Sequence, residues 1–399
     1  MALALFAWEL GGDYGHLARL LPVAQALKAR GHEAIFAVRD LLGAEAILAP
    51  HGVRAFQAPL WLGQVTNLPD PISYPEMLMR FGFLNARALT GICRAWRNLV
   101  DLLQPDLLVL DHAPTALLAT RGLALPRINF GDGFCIPPVA RPVPHFRWWQ
   151  RENLVRLQDS EQHALAAANQ VLQTLDAPPM VGMADLQQCD DTLFCTFSEL
   201  DHYAERGTQD YLGPIYSLGQ GVSMPWSGEG PAPRVFAYLK AGYAGLDAVL
   251  AALHGAQARV LVHVPGAARQ TVARYRSARM AFSTDPLDMA QMAAECDLAL
   301  CHGGAGTTAA MLLAGKPLVL FPMHMEQIMT GRRLAALGAA VSVTPDAVGQ
   351  LPRLLKKAQA DPTLAAAAQA FAKQHAGYDQ HHTIASAADR CEALLRKAP

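Results

Sequence analysis

The chain has 399 residues, 52% of them apolar, and its 33 lysines and arginines nearly balance 34 aspartates and glutamates, for a net charge of −1. That length sets a prior of two domains of about 200 residues each, and that apolar content excludes a disordered chain. Near-neutral charge without a basic stripe gives no footing for nucleic acid as a partner. Seven cysteines with no C-x-x-C pair read as free thiols, which fits a cytoplasmic protein better than a disulfide frame or a zinc site. No apolar run is long enough to span a bilayer. The short run Ala2 to Trp8 has no basic leader and reads as a first strand, not a signal peptide.

In chain order, Leu3 to Ala7 reads as a buried strand, Gly11 to His16 (G-G-D-Y-G-H) as a glycine-rich turn, and Leu17 to Ala29 as a helix stopped by Gly31. Strands follow at Ala34 to Val38 and Val53 to Gln57, helix over most of Pro75 to Leu103, and strands at Leu107 to Leu110 and Arg127 to Phe130. Fully apolar strands alternating with helices predict a parallel sheet covered on both faces. From Ser217 to Pro233 the text turns to Gly, Pro and Ser, as expected of a linker. A second alternating series follows, with strands at Val235 to Leu239 and Arg259 to His263 and near Leu298, Leu318 and Val341, and a helix at Gly245 to Leu253. The segment His381 to Lys397 reads as an amphipathic terminal helix.

The most informative stretch is Asp297 to Ala340. A strand ending at Leu300 runs into H-G-G-A-G-T-T, His302 to Thr308, and two threonines open an alanine-rich helix. Such a turn gathers backbone N–H groups at a helix N-terminus, where the helix dipole favours a phosphate or diphosphate. Neither the Walker spacing nor the dinucleotide fingerprint fits it. Downstream, Pro322 to Gln327 (P-M-H-M-E-Q) sets an acceptor-only carboxylate beside an amide that donates and accepts.

With both motifs in place, the chain resembles the family 1 glycosyltransferases of the GT-B fold, bacterial members acting on small molecules above all, and shares its glycine-rich first loop with MurG-like enzymes. The resemblance implies two doubly wound Rossmann-like α/β domains facing across a cleft. It implies an acceptor-binding domain over 1–216, a linker over 217–233, a nucleotide-sugar domain over 234–378, and a terminal helix over 379–399 packing back on the first domain.

It also implies site roles. His302 contacts a phosphate oxygen, with Gly303, Gly304, Gly306, Thr307 and Thr308 completing the diphosphate cradle. Glu326 and Gln327 hold the donor sugar. Gly12, Gly15, Lys240 and Phe282 are further donor-binding candidates. His16 is the general base, since imidazole titrates near neutrality, and Asp111 at the end of P-D-L-L-V-L-D orients it. The plainer readings are a packing histidine at a helix start and an N-cap for a helix near Pro114. His112 is a rival for the pairing, and Asp13 reads as a turn residue. Phe81, Phe83, Phe134, Trp148 and Trp149 are aromatic candidates for the acceptor side or for ordinary packing.

The pattern departs from the family in places. The Trp-x-Pro-Gln segment, whose tryptophan stacks on the nucleobase, is Phe282-Ser283-Thr284-Asp285 here, so Phe282 or backbone groups take that part. A Gly-Ser turn is replaced by Leu239-Lys240-Ala241, with Lys240 reaching a phosphate or solvent. The proline three residues after the loop histidine is Arg19, which reads as a structural change, and an asparagine after Gln327 is Thr330.

The expected activity is inverting, metal-independent transfer of a hexosyl unit from a UDP- or dTDP-sugar to a hydroxyl of a small or lipid-like acceptor. No cofactor or metal is expected beyond that nucleotide-sugar co-substrate, and the chain is expected as a monomer or weak dimer with at most peripheral membrane contact. The alternatives are a sugar-nucleotide epimerase on the same fold and a non-catalytic sugar-nucleotide-binding protein.

Overall fold

A computed structural model describes residues 1–12, 14–203, 206–207, 209–216 and 221–396. Asp13 and the linker start, Ser217 to Gln220, lie outside the described residues. The chain divides into two units, Met1–Ile215 with Asp379–Pro399, and Tyr216–Tyr378.

The first unit alternates strand and helix: β1 (Leu3–Trp8), α1 (Gly15–Ala29), β2 (Glu33–Val38), α2 (Leu41–Leu48), β3 (Arg54–Gln57), α3 (Tyr74–Leu78), α4 (Ala86–Leu103), β4 (Leu107–Asp111), α5 (Pro114–Ala119), β5 (Arg127–Gly131), α6 (Leu154–Thr174) and β6 (Asp191–Phe194). Its six strands are all parallel in the order β3-β2-β1-β4-β5-β6. Every residue of β4 is buried, as are all but the first of β1, so the apolar runs reflect cover on both faces. The rings of Phe6 and Phe36 stack at 4.9 Å within that core.

The second unit repeats the plan with β7 (Arg234–Tyr238), α7 (Leu246–His254), β8 (Arg259–His263), α8 (Arg269–Tyr275), β9 (Met280–Ser283), α9 (Met289–Glu295), β10 (Leu298–Cys301), α10 (Ala305–Leu313), β11 (Leu318–Leu320), α11 (Met325–Ala336), β12 (Ala340–Ser342), α12 (Leu351–Ala360) and α13 (Pro362–Gln374). Its parallel order, β12-β11-β10-β7-β8-β9, is the same winding. In each unit the order reverses beside the first strand, between β1 and β4 and between β7 and β10. Loops leaving the carboxyl ends of those strands diverge there and leave a crevice for ligand.

The last helix, α14 (Gln380–Leu395), belongs to the first unit. Arg30 at the end of α1 donates to Asp389 at 2.7 Å and Glu392 at 3.0 Å, and Arg390 pairs with Asp191 at the start of β6.

Several elements differ from the sequence reading. Helix α6 carried no strong signal because its buried face is built from Ala164, Ala167, Ala168, Ser160 and Glu161 as well as leucines. Buried Glu161 is satisfied by the N–H groups of Val143 at 2.6 Å and Met183 at 3.0 Å. The four-residue strands β6 and β9 are too short for a periodicity argument. The part of the supposed linker that is described is not a loose connection. Val222 exchanges backbone hydrogen bonds with Pro286 and Asp288, and Trp226 Nε1 donates to Glu295 at 2.6 Å, so this stretch lies on the second unit. Among the described residues no helix is long and apolar enough to cross a membrane.

Candidate active site

In the first unit the crevice beside β1 and β4 holds a buried polar cluster. Helix α1 starts at Gly15, so His16 stands in its first turn and Arg19 one turn later on the same face. Both side chains point over the end of β4, where Asp111 is completely buried. His16 Nδ1 lies 3.0 Å from Asp111 Oδ1. Arg19 makes a two-pronged clasp on the same carboxylate, Nε to Oδ2 and Nη2 to Oδ1, each at 2.6 Å. Its Nη1 reaches Asp132 Oδ2, after β5, at 2.9 Å.

Burial would push the Asp111 carboxyl up, but the Arg19 guanidinium and then His16 outweigh it and hold the group below the usual carboxylate range. The same balance, with Arg19 the main opposing charge, lowers Asp132. Asp111 is not a helix cap. The N-cap of α5 is Ala113, and it is buried Glu9 that caps the helix, accepting from Ala116 N–H and Thr115 Oγ1–H at 2.6 Å. Burial, only partly offset by those bonds, raises Glu9 to about 7.

Two further features fix the His16 ring. The Trp8 indole stacks on it, with centroids 5.3 Å apart and planes at 21°. Gly11 has φ +96°, and a Cβ there would stand 2.3 Å from His16 Nε2, so glycine is required for both backbone and space. Gly12 and Gly15 meet nothing within 4 Å where a Cβ would be. Gly12 lines a cavity of about 170 Å³ with Trp8, Gly11, Tyr14, Arg39 and Asp40. His112 does not take the His16 place on Asp111. Its ring lies 5.9 Å from that of His16, and burial first, then the His16 charge, depresses it to about 3. Among the aromatic candidates, Phe83 is core, while Phe134 stands edge-on to His112 at 6.3 Å.

In the second unit the crevice beside β7 and β10 holds the glycine turn. Gly303 has φ +87°, and its Cβ position faces the Gln327 backbone at 3.5 Å, so the turn and the start of α11 are neighbours. Helix α10 begins at Ala305 with Gly304 as N-cap, and the first intrahelical bond is Thr308 N–H to Gly304 at 3.1 Å. The helix geometry therefore turns the N–H groups of Ala305, Gly306 and Thr307 outward. Thr308 is only 2% exposed, and its buried hydroxyl has no hydrogen-bond partner among the described residues.

His302 is engaged at both ring nitrogens. The Lys240 backbone N–H donates to Nε2 at 2.9 Å, and Nδ1 lies 2.7 Å from the Phe321 carbonyl oxygen. An amide only donates and a carbonyl only accepts, so the ring carries its proton on Nδ1 and both nitrogens serve the backbone. The imidazole thereby ties the ends of β7, β10 and β11 together. Lys240 enters this site through its main chain.

Glu326 stands in the first turn of α11. Buried Gln327 accepts the Met323 N–H at 2.8 Å, which leaves its Nε2–H groups to donate. The Thr330 hydroxyl donates to the Glu326 carbonyl at 3.1 Å. Phe282 is a core residue, 5% exposed among Val260, Val262 and Leu300, because alternation along β9 turns Met280 and Phe282 to the packed face. It offers no ring to a base. An aromatic pair at the strand ends is Tyr238 and His263, 5.3 Å apart.

Sequence reasoning missed Arg19, Asp132 and Trp8 as parts of the His16 cluster. The signal for Arg19 was present, a charged residue at a position inside a strongly apolar helix.

Residues 247–394 match the family described as erythromycin biosynthesis protein CIII-like, C-terminal domain. The chain is 23% identical over 389 residues to a PGL/p-HBAD biosynthesis rhamnosyltransferase of Mycobacterium bovis, covering 92% of this chain and 84% of that protein. It is 25% identical over 352 residues to the L-demethylnoviosyl transferase of Streptomyces niveus, covering 83% of each. Among solved structures, the calicheamicin glycosyltransferase CalG4 matches with a TM-score of 0.72 at 19% identity over 100% of this chain and 99% of that one. The spinosyn rhamnosyltransferase SpnG complexed with thymidine diphosphate matches at 0.68 and 20% identity over 96% and 98%.

Proposed function

We propose that this chain, which belongs to the family 1 glycosyltransferases of the GT-B fold and takes a nucleotide sugar as donor, is an inverting, metal-independent hexosyltransferase. Its acceptor is a hydroxyl of a small or lipid-like molecule. The observation that carries the reading is His16 Nδ1 at 3.0 Å from buried Asp111, since a base with its orienting carboxylate serves transfer and serves mere binding not at all.

In this reading Nδ1 faces Asp111, so Nε2 takes the proton of the acceptor hydroxyl. The oxygen attacks the anomeric carbon as the bond from that carbon to the diphosphate breaks, and a single displacement inverts the centre. Charge developing on the leaving diphosphate falls to the outward amides of Ala305, Gly306 and Thr307 at the α10 N-terminus. Glu326 accepts from, and Gln327 donates to, the sugar hydroxyls. The first unit then serves the acceptor and the second the donor. The donor is a UDP- or dTDP-sugar, and the names of the relatives together with the thymidine diphosphate complex favour a dTDP-linked deoxyhexose.

The test is a panel of UDP- and dTDP-sugars with phenolic and macrolide acceptors, run with and without EDTA. His16→Ala is expected to keep donor binding and to lose transfer by roughly 10²–10⁴-fold, the range for a general base. Turnover of His16→Ala equal to wild type would overturn the base assignment.

A further inference from the structure

We propose that Arg19 and Asp132 are positioning residues for His16: Arg19 locks Asp111 against the imidazole, and Asp132 restores the net negative charge that a protonated imidazole needs beside it. This rests on the reading of His16 as the base.

A base that works by accepting a proton beside a carboxylate gains from the attraction between imidazolium and that carboxylate. Here Arg19 takes both oxygens of Asp111 at 2.6 Å, and its Nη2 stands 2.9 Å from His16 Nδ1. A guanidinium only donates, so that contact competes with donation from Nδ1 to Asp111 and favours the tautomer with the proton on Nε2. That tautomer cannot accept a proton from substrate. Arg19 and Asp111 alone would also cancel in charge, leaving little to attract an imidazolium.

Asp132 changes the sum. It holds Arg19 Nη1 at 2.9 Å, and its side chain is 7% exposed, so its charge is poorly screened by water. The buried set of Arg19, Asp111 and Asp132 carries −1, and proton uptake by His16 brings the cluster to zero. The other groups facing His16 do not alter this sum: Trp8 from β1 is uncharged, and His112 after β4 is held neutral by burial and the neighbouring positive charge. Asp132 also has a favourable charge interaction with His202, and its Oδ1 accepts the Phe134 N–H at 3.3 Å. The fork thus buys geometry for Asp111, while Asp132 offsets its electrostatic consequence.

Asp132→Asn keeps an oxygen for Arg19 Nη1 while removing the charge and the acceptor of the long Phe134 N–H contact. The acid limb of kcat/KM against pH is expected to move down by about one unit, and the His16 imidazole titration followed by NMR in the free protein to move with it. Arg19→Gln is expected to move both up by about one unit. If both variants lose activity while the limb and the NMR titration stay within about 0.2 unit of wild type, the two residues are structural and the proposal fails. Should Arg19→Gln not fold, Asp132→Asn decides alone. The NMR arm needs no turnover, so a failure of the base reading, seen as an active His16→Ala, is distinguishable from a failure of this one.

Discussion

Replacing His302 with phenylalanine keeps the volume of the ring and its edge contact with Tyr243, whose centroid is 5.2 Å away, and removes both nitrogens. The Lys240 N–H and the Phe321 carbonyl then lose the partners they have at 2.9 and 2.7 Å. His302 is only 5% exposed, so water replaces those partners poorly. A buried backbone group left unsatisfied costs about 1–3 kcal/mol, so the pair sets an expected loss of about 3 kcal/mol. For a unit of this size that is a fall of roughly 6–12 °C in melting temperature. Thermal melts of the full chain, with hydrogen exchange at the Lys240 amide as the local readout, measure it. The cradle amides of Ala305, Gly306 and Thr307 remain on α10, so the affinity for dTDP or UDP is expected to fall less than about tenfold, or 1.4 kcal/mol. A variant that melts like wild type while losing over a hundredfold in nucleotide affinity would refute the pin and make His302 a phosphate ligand.

Gly11→Ala places a Cβ within 2.3 Å of His16 Nε2 at φ +96°. The ring must move by about 1 Å, which is expected to lower kcat by about 10²-fold with little change in nucleotide affinity measured by calorimetry. His112 titrates near 3 in the folded protein against 6.5 for a free imidazole. Between those values the unfolded chain binds the extra proton, so stability rises with pH by up to about 1.4 kcal/mol per unit and is lost as pH falls from 6.5. His112→Asn suits the left-handed φ of 47° at this position and is expected to flatten that slope in urea melts at pH 4 to 7.

Much of the second unit's glycine turn was legible in sequence because it is local. A glycine turn between a strand and a helix fixes its own backbone, so H-G-G-A-G-T-T foretold the turn into α10 and its outward N-terminal amides before any neighbour was known. The apolar runs and their spacing likewise foretold two parallel sheets. What each side chain of the turn does was another matter. Which way His302 faces depends on Lys240 and Phe321, which reach it only through the sheet.

The same division holds in the first unit. G-G-D-Y-G-H and P-D-L-L-V-L-D named His16 and Asp111, but they are 95 residues apart and their 3.0 Å contact follows from β1 and β4 lying side by side. Arg19 looked like a structural substitution because sequence shows its place on α1 and not the two carboxylates, one ending β4 and one just after β5, that surround it. Phe282 looked available to a base until the register of β9 turned it into the core. The chain alone determined which backbone segments form and where the free amides of a helix start gather. Tertiary structure decided which polar groups are spent on one another and which are left for substrate, because hydrogen-bond partners and burial are set by residues distant in sequence.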